Sequence, residues 1–140
     1  MENTKEIIHS IIECAVAEVL VLVAKDIRRL KFADIVRKTH NVVNDLGVKL
    51  IENIVRIIDE KYNAQRDKHN VILRHTKTRK MVSEMGELNL TRKLYFDKAA
   101  ARYFFAVDEI LNIEKYSRVE GELKTKLIND ATLTSYGKAS

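Results

Sequence analysis

The chain has 140 residues, 46% apolar and 32% charged, a balance that suits one soluble globular domain or slightly more with a core of its own. Its one cysteine, Cys14, excludes an intrachain disulfide framework and fits a reducing compartment. The net charge of +5 is unevenly placed: residues 61–102 hold eleven Lys and Arg against four Asp and Glu, so the whole basic excess lies mid-chain, where it would attract a polyanion.

No proline and only four glycines interrupt the chain, so long helices can run unbroken. Residues 5–29 are predicted as the first helix. Ile8, Ile11, Ile12, Ala15, Val16, Val19, Leu22 and Val23 recur at three- and four-residue spacing, as on a buried stripe. Cys14, Leu20 and Val21 widen the apolar arc, so this helix needs cover on more than one side, from the next elements or from a second copy of the chain. The run Ile7 to Ala24 contains His9, Glu13 and Glu18 and follows Glu2, Lys5 and Glu6, which argues against a membrane span or a secretory signal; the expected location is the cytoplasm. Cys14 and His9 read as core or edge residues, because no second cysteine or nearby histidine completes a metal set.

The charged segment Lys25 to Leu30 ends or kinks this helix. A second helix is predicted from Phe32 to His69 on the stripe Val43, Leu46, Leu50, Ile54, Ile57, Ile58 and Tyr62. Gly47 inside it costs about 1 kcal/mol against alanine, and suggests close packing or a bend. Glu52, Arg56, Asp59 and Glu60 form a solvated face, with Glu52 and Arg56 placed for mutual support one turn apart.

Lys61 to Lys80 is the basic run, with His69 and His75 among its cations. Two readings stand side by side: a solvated helix end followed by a polar strand, or a phosphate-contacting strip. Strand-like alternation then replaces helical spacing. Leu88, Leu90, Leu94 and Phe96 fall on one face of an extended chain, and Asn89, Thr91, Lys93 and Tyr95 on the other. Arg92 lands on the apolar face, which requires a partner or a sheet edge. Gly86 before this run and Asp97-Lys98-Ala99 after it mark turns, so strands are predicted near 72–84, 87–96 and 102–107. Val119, Leu123, Leu127 and Ile128 then outline a short amphipathic helix. A turn at Thr132 to Thr134 follows, with Thr134 or Ser135 as N-cap, and the chain stops at Ser140 with a second helix begun and not finished.

The expected fold is therefore α+β and mostly helical. It comprises a long N-terminal α-hairpin over residues 1–70, a small antiparallel β-meander over 71–110, and over 111–140 a short C-terminal helix with a truncated helix-turn-helix-like end.

Met85-Gly-Glu-Leu-Asn-Leu-Thr-Arg-Lys-Leu-Tyr-Phe-Asp-Lys resembles the Gly-Glu-Val-x-x-x-Arg-Arg-Tyr-Tyr-x-Asp-Lys signature of ISLre-type insertion-sequence transposases, a group long described as an uncharacterised family. Tyr103-Phe-Phe-Ala-Val-Asp-Glu-Ile-Leu-Asn-Ile, Glu114-Lys-Tyr-Ser-Arg-Val, the Glu122 to Ala131 segment and Leu133-Thr-Ser-Tyr-Gly-Lys-Ala-Ser follow in the family's order. The resemblance covers residues 74–140 well and Asp45 to Arg66 more loosely. Val107-Asp-Glu lacks the leucine usual before the acidic pair, Asn112 stands where glycine is common, and Gly137 stands where arginine is usual. Such drift is what a decaying copy accumulates.

The resemblance implies the pre-catalytic N-terminal part of a transposase, truncated, inert alone, and binding DNA or its own kind. The metal-binding RNase H-like domain would lie beyond these residues, so no catalytic residue is carried over and no cofactor is expected here; divalent metal belongs to the missing domain. The mid-chain charge makes Arg74, Lys77, Arg79, Lys80, Lys93 and Arg102 the candidate phosphate contacts, with Arg92 a further one despite its apolar face. The expected partners are DNA and a second copy of the chain through the N-terminal helices. A different class remains open: a helical dimerisation module that binds no DNA. A stand-alone hydrolase finds no nucleophile or metal-ligand set.

Overall fold

The computed structural model describes residues 2–25, 27–114 and 125–129. They fall into two compact units, residues 1–66 and 67–140.

The first unit is a helical hairpin. Helix α1 (Glu2–Val23) packs against helix α2 (Phe32–Gln65), with a 3-10 turn at Ile27–Arg29 between them. Ile11 and Ala15 of α1 stand beside Val42 and Leu46 of α2. The inward stripe of α1 is narrower than its apolar arc. Ile8, Ile11, Ala15 and Leu22 are half-buried, whereas Ile12, Val16, Val19 and Val23 are 44–68% exposed. In α2 Leu46, Leu50, Ile57, Ile58 and Tyr62 of the expected stripe are half-buried, but Val42 and Val55 turn inward in place of Val43 and Ile54, which are about half exposed. A one-residue change of phase turns a side chain by about 100°, and only the partner helix decides which phase faces in. The helix runs unbroken through Gly47.

Helix α2 stops at Gln65, four residues before the predicted end. The cause is local. The carbonyl of Asp67 accepts from the amides of Asn70 (3.1 Å) and Val71 (2.8 Å), and its side chain accepts from the His69 amide (3.1 Å). These bonds close a turn in place of the next helical one.

The second unit is a three-stranded antiparallel meander in the order β1 (Val71–Ser83), β2 (Gly86–Asp97), β3 (Arg102–Phe105), followed by the short helix α3 (Ala106–Ile110) packed on β2. The long β1–β2 hairpin closes through Glu84 and Met85. Neither has a positive φ, so the left-handed residue that the tight turn requires is Gly86, at φ 132°. A bulge at Arg74 shifts the register between Leu73 and His75.

Register assigns the faces. Lys77, Arg79 and Met81 of β1 lie on the side of Leu90, Arg92 and Leu94 of β2, with Phe105 paired to Leu94. Thr78, Lys80, Thr91 and Lys93 lie on the other side, where the Thr78 and Thr91 hydroxyls meet at 3.2 Å. Leu88, Leu90 and Met81 are buried as the alternation predicts. Tyr95 departs from it. Placed by alternation on the polar face, it is fully buried, its ring 5.8 Å from that of Phe104. The third strand ends at Phe105 rather than near 107. Ala106 and Val107 are both buried, which successive residues of a half-covered strand cannot be, and the chain coils into α3 instead.

Residues 125–129 are helical, with Leu127 and Ile128 exposed. Val119, Leu123 and the predicted turn with its Thr134 or Ser135 cap lie outside the described residues.

Candidate nucleic-acid interface

The seven candidate cations all fall in the second unit, on strands that alternation splits between two faces. Arg74 projects from the bulge, exposed, with its guanidinium 5.7 Å from the Phe96 ring centroid. Lys77 is exposed on the face that carries Arg92. Lys80 is exposed on the opposite face, 3.7 Å from Glu87, a surface pair worth less than about 1 kcal/mol. Lys93 shares that face and is half-buried. Arg102 is exposed, donates to Glu109 at 2.7 Å and lies 5.1 Å over the Phe104 ring.

The remaining two are held inside the fold. Arg92 is 6% exposed. It donates to Asp108, and its guanidinium sits 3.9 Å over the Phe105 ring. Arg79 donates to the Glu114 carbonyl at 2.8 Å and lies 3.7 Å from Asp108. A buried guanidinium needs a counter-charge and a low-cost surface for its flat faces, and Asp108 and Phe105 supply both. These two arginines brace the sheet, while Arg74, Lys77, Lys80 and Arg102 remain exposed to an outside phosphate.

Sequence reasoning missed Asp108 and Phe105 as the partners of Arg92. The signal was present, because a charge on an apolar face announces a counter-charge. Its address was not, because residues 102–107 read as one strand and α3 alone turns Asp108 back over β2.

A cleft of about 1030 Å³ opens on this unit. Lys77, Arg79, Arg92 and Arg102 line it, together with Tyr103 and Phe105, and Asp108 and Glu109 lie at its α3 side. Tyr103 is 61% exposed, and its ring packs 4.8 Å from that of Phe96. The floor is thus basic and aromatic at once, the combination that takes phosphates and bases together.

The turn after β2 is tied down by Asn70. Its side chain donates to Asp97 (2.9 Å) and accepts from the Ala99 amide (2.9 Å), while its carbonyl accepts from the Lys98 amide (3.0 Å). The Ala100 amide and then the Asn70 amide, donating to the Asp97 carboxylate, hold its pKa below the usual carboxylate range.

Other residues singled out by sequence are not brought together. Cys14 and His9 are exposed on α1. Of the carboxylates on α2, Asp59 is buried, Glu52 half-buried and Glu60 exposed. Among the described residues no group of three or more His, Cys, Asp or Glu could hold a metal ion. Nor is any helix among them long and apolar enough to cross a membrane.

The family described as "Uncharacterised protein family (UPF0236)" matches residues 25–140. The chain is 28% identical over 113 residues to a UPF0236 protein of Caldanaerobacter subterraneus subsp. tengcongensis, a match covering 79% of this chain and 24% of that protein. A second UPF0236 protein of the same organism, whose name joins eleven locus designations, matches with the same identity and coverage. A third, whose name joins four, does likewise. The chain therefore spans about a quarter of the length of the curated relatives it matches. No solved structure matches it.

Proposed function

We propose a role in DNA transposition for this chain, which belongs to the UPF0236 family: it is the pre-catalytic, DNA-handling part of an ISLre-type insertion-sequence transposase. Strand transfer and its divalent metal belong, in this reading, to the rest of the protein. The observation that carries it is the concentration of cations in residues 61–102, with Arg74, Lys77, Lys80 and Arg102 exposed on one compact unit. The ordered motifs from Met85 to Ser140 support it. So does a relative's name that joins eleven designations in one organism, as the copies of a self-copying element would.

Gel-shift titration of the chain against duplex DNA at two salt concentrations tests the reading. Binding at low salt, weakened by added salt and by Arg74→Ala, Lys77→Ala and Lys80→Ala together, is expected. No binding at low salt, or no loss in the triple variant, sinks it.

A second role is favoured by a separate observation. Val16, Val19, Leu20, Val21 and Val23 of α1 are all more than 40% exposed, an apolar surface that a second copy of the hairpin would cover. Self-association through these helices is compatible with DNA binding, and without DNA binding it would stand alone as a dimerisation module. Sedimentation of the chain over a range of concentrations decides it; a monomer throughout removes this role.

A further inference from the structure

We propose that the cleft of the second unit takes single-stranded DNA, with a base stacked on Tyr103 and the phosphates running past Lys77 and Arg102. The proposal rests on the DNA-binding reading and adds which form of DNA the cleft accepts. Three observations meet there.

The first is the aromatic floor. Tyr103 is a large ring left 61% exposed, and it lies beside its cross-strand partner Phe96, the ring centroids 4.8 Å apart and the planes tilted by 47°. The Arg74 guanidinium lies 5.7 Å from the Phe96 centroid. An exposed ring braced by a neighbouring ring is pre-set for stacking, because it loses little freedom when a base arrives.

The second is the wall. Phe105 is backed by the buried Arg92 at 3.9 Å, and Arg92 is fixed by Asp108. This side of the cleft is a braced platform rather than a loose chain end.

The third is size and charge. About 1030 Å³ is at or beyond the ~300–1,000 Å³ of small-molecule sites, which suits a run of nucleotides better than one. Lys77 and Arg102, both exposed and lining the cleft, supply the cations that follow a backbone.

The choice of single strand over duplex follows from where the binding energy lies. In a duplex each base face is covered by its neighbours, so an exposed ring gains nothing from it. In a single strand the faces are open, and each stacked base adds affinity that phosphate contacts cannot supply.

The experiment measures fluorescence anisotropy of the full chain with a labelled oligothymidine of about twelve nucleotides and with a duplex of the same length, at low salt. Tyr103→Ala is expected to weaken oligothymidine binding about tenfold and leave duplex binding unchanged, while Tyr103→Phe keeps both. Lys77→Ala is expected to weaken both. Circular dichroism melts establish that the variants remain folded, which the exposure of Tyr103 permits. Duplex binding without single-strand binding overturns the proposal and spares the DNA reading. So does equal loss, or no loss, of the two affinities in Tyr103→Ala. Absence of binding to either form overturns both.

Discussion

Arg92 and Asp108, sixteen residues apart, meet as a part-buried ion pair: the Arg92 guanidinium donates to a carboxylate oxygen of Asp108 and lies over the ring of Phe105. Their side chains are 8% and 16% exposed. The pair ties α3 to the centre of β2, and it makes the one charge on the apolar face of that strand tolerable.

Removing one partner should cost more than removing both. Asp108→Ala leaves a cation in the interior and is expected to lower stability by about 3 kcal/mol, toward the low end for a buried pair because Asp108 keeps some contact with water. Arg92→Leu combined with Asp108→Ala is expected to recover most of that loss. Urea unfolding of the two variants checks it; equal destabilisation would mean that the pair is not what fixes α3.

Two cations on one strand face should behave oppositely. Lys77 is exposed, whereas Arg79 is engaged with Glu114 and Asp108. Lys77→Ala is expected to leave the melting temperature unchanged and to flatten the salt dependence of DNA binding, by about 0.9 in log–log slope if it neutralises one phosphate. Arg79→Ala is expected to lower the melting temperature. Thermal melts and salt titrations of both variants separate a structural cation from a binding one.

Backbone sign is tested at two positions. Gly86 holds φ 132° in the hairpin turn, and Ala101 holds φ 52° at the end of the next turn. Gly86→Ala is expected to destabilise by about 1 kcal/mol or more, since a Cβ is poorly accommodated there. Ala101→Gly is expected to stabilise by up to about 1 kcal/mol, the relief of a left-handed alanine less the extra freedom of the unfolded chain. Chemical denaturation midpoints read both.

Asp97 gives an acid dependence. Its folded pKa lies below the usual carboxylate range because the amides of Ala100 and Asn70 donate to the charged form. The unfolded chain therefore takes up this proton first as pH falls. The stabilising contribution is complete at neutral pH. It fades below the usual carboxylate range and is gone once pH passes the depressed folded value. Asp97→Asn is expected to remove this part of the acid response. Carboxyl titration by NMR, with unfolding curves at several acid pH values, would show it.

The apolar side of α1 predicts an assembly. Leu20 is 62% exposed and Val16 51% exposed. Leu20→Glu with Val16→Glu is expected to shift sedimentation toward monomer without loss of helicity. Unchanged sedimentation of an associating chain would place the contact elsewhere.

The α-hairpin, the β-hairpin with Gly86 at its turn and the mid-chain basic excess were legible in the sequence, because each is carried by local spacing, local turn chemistry or a local count of charge. The end of α2 was legible only roughly. The Asp67 turn that stops it competes with a helix that would otherwise continue, and spacing alone does not weigh the two. Tertiary structure decided the rest. It set which edge of the α1 arc faces α2, buried Tyr95 on a face that alternation made polar, and turned Asp108 back to meet Arg92. The physical reason is common to all three. Periodicity shows which side chains share a face, but the cover on that face comes from residues distant in sequence, and only the packed chain brings them there.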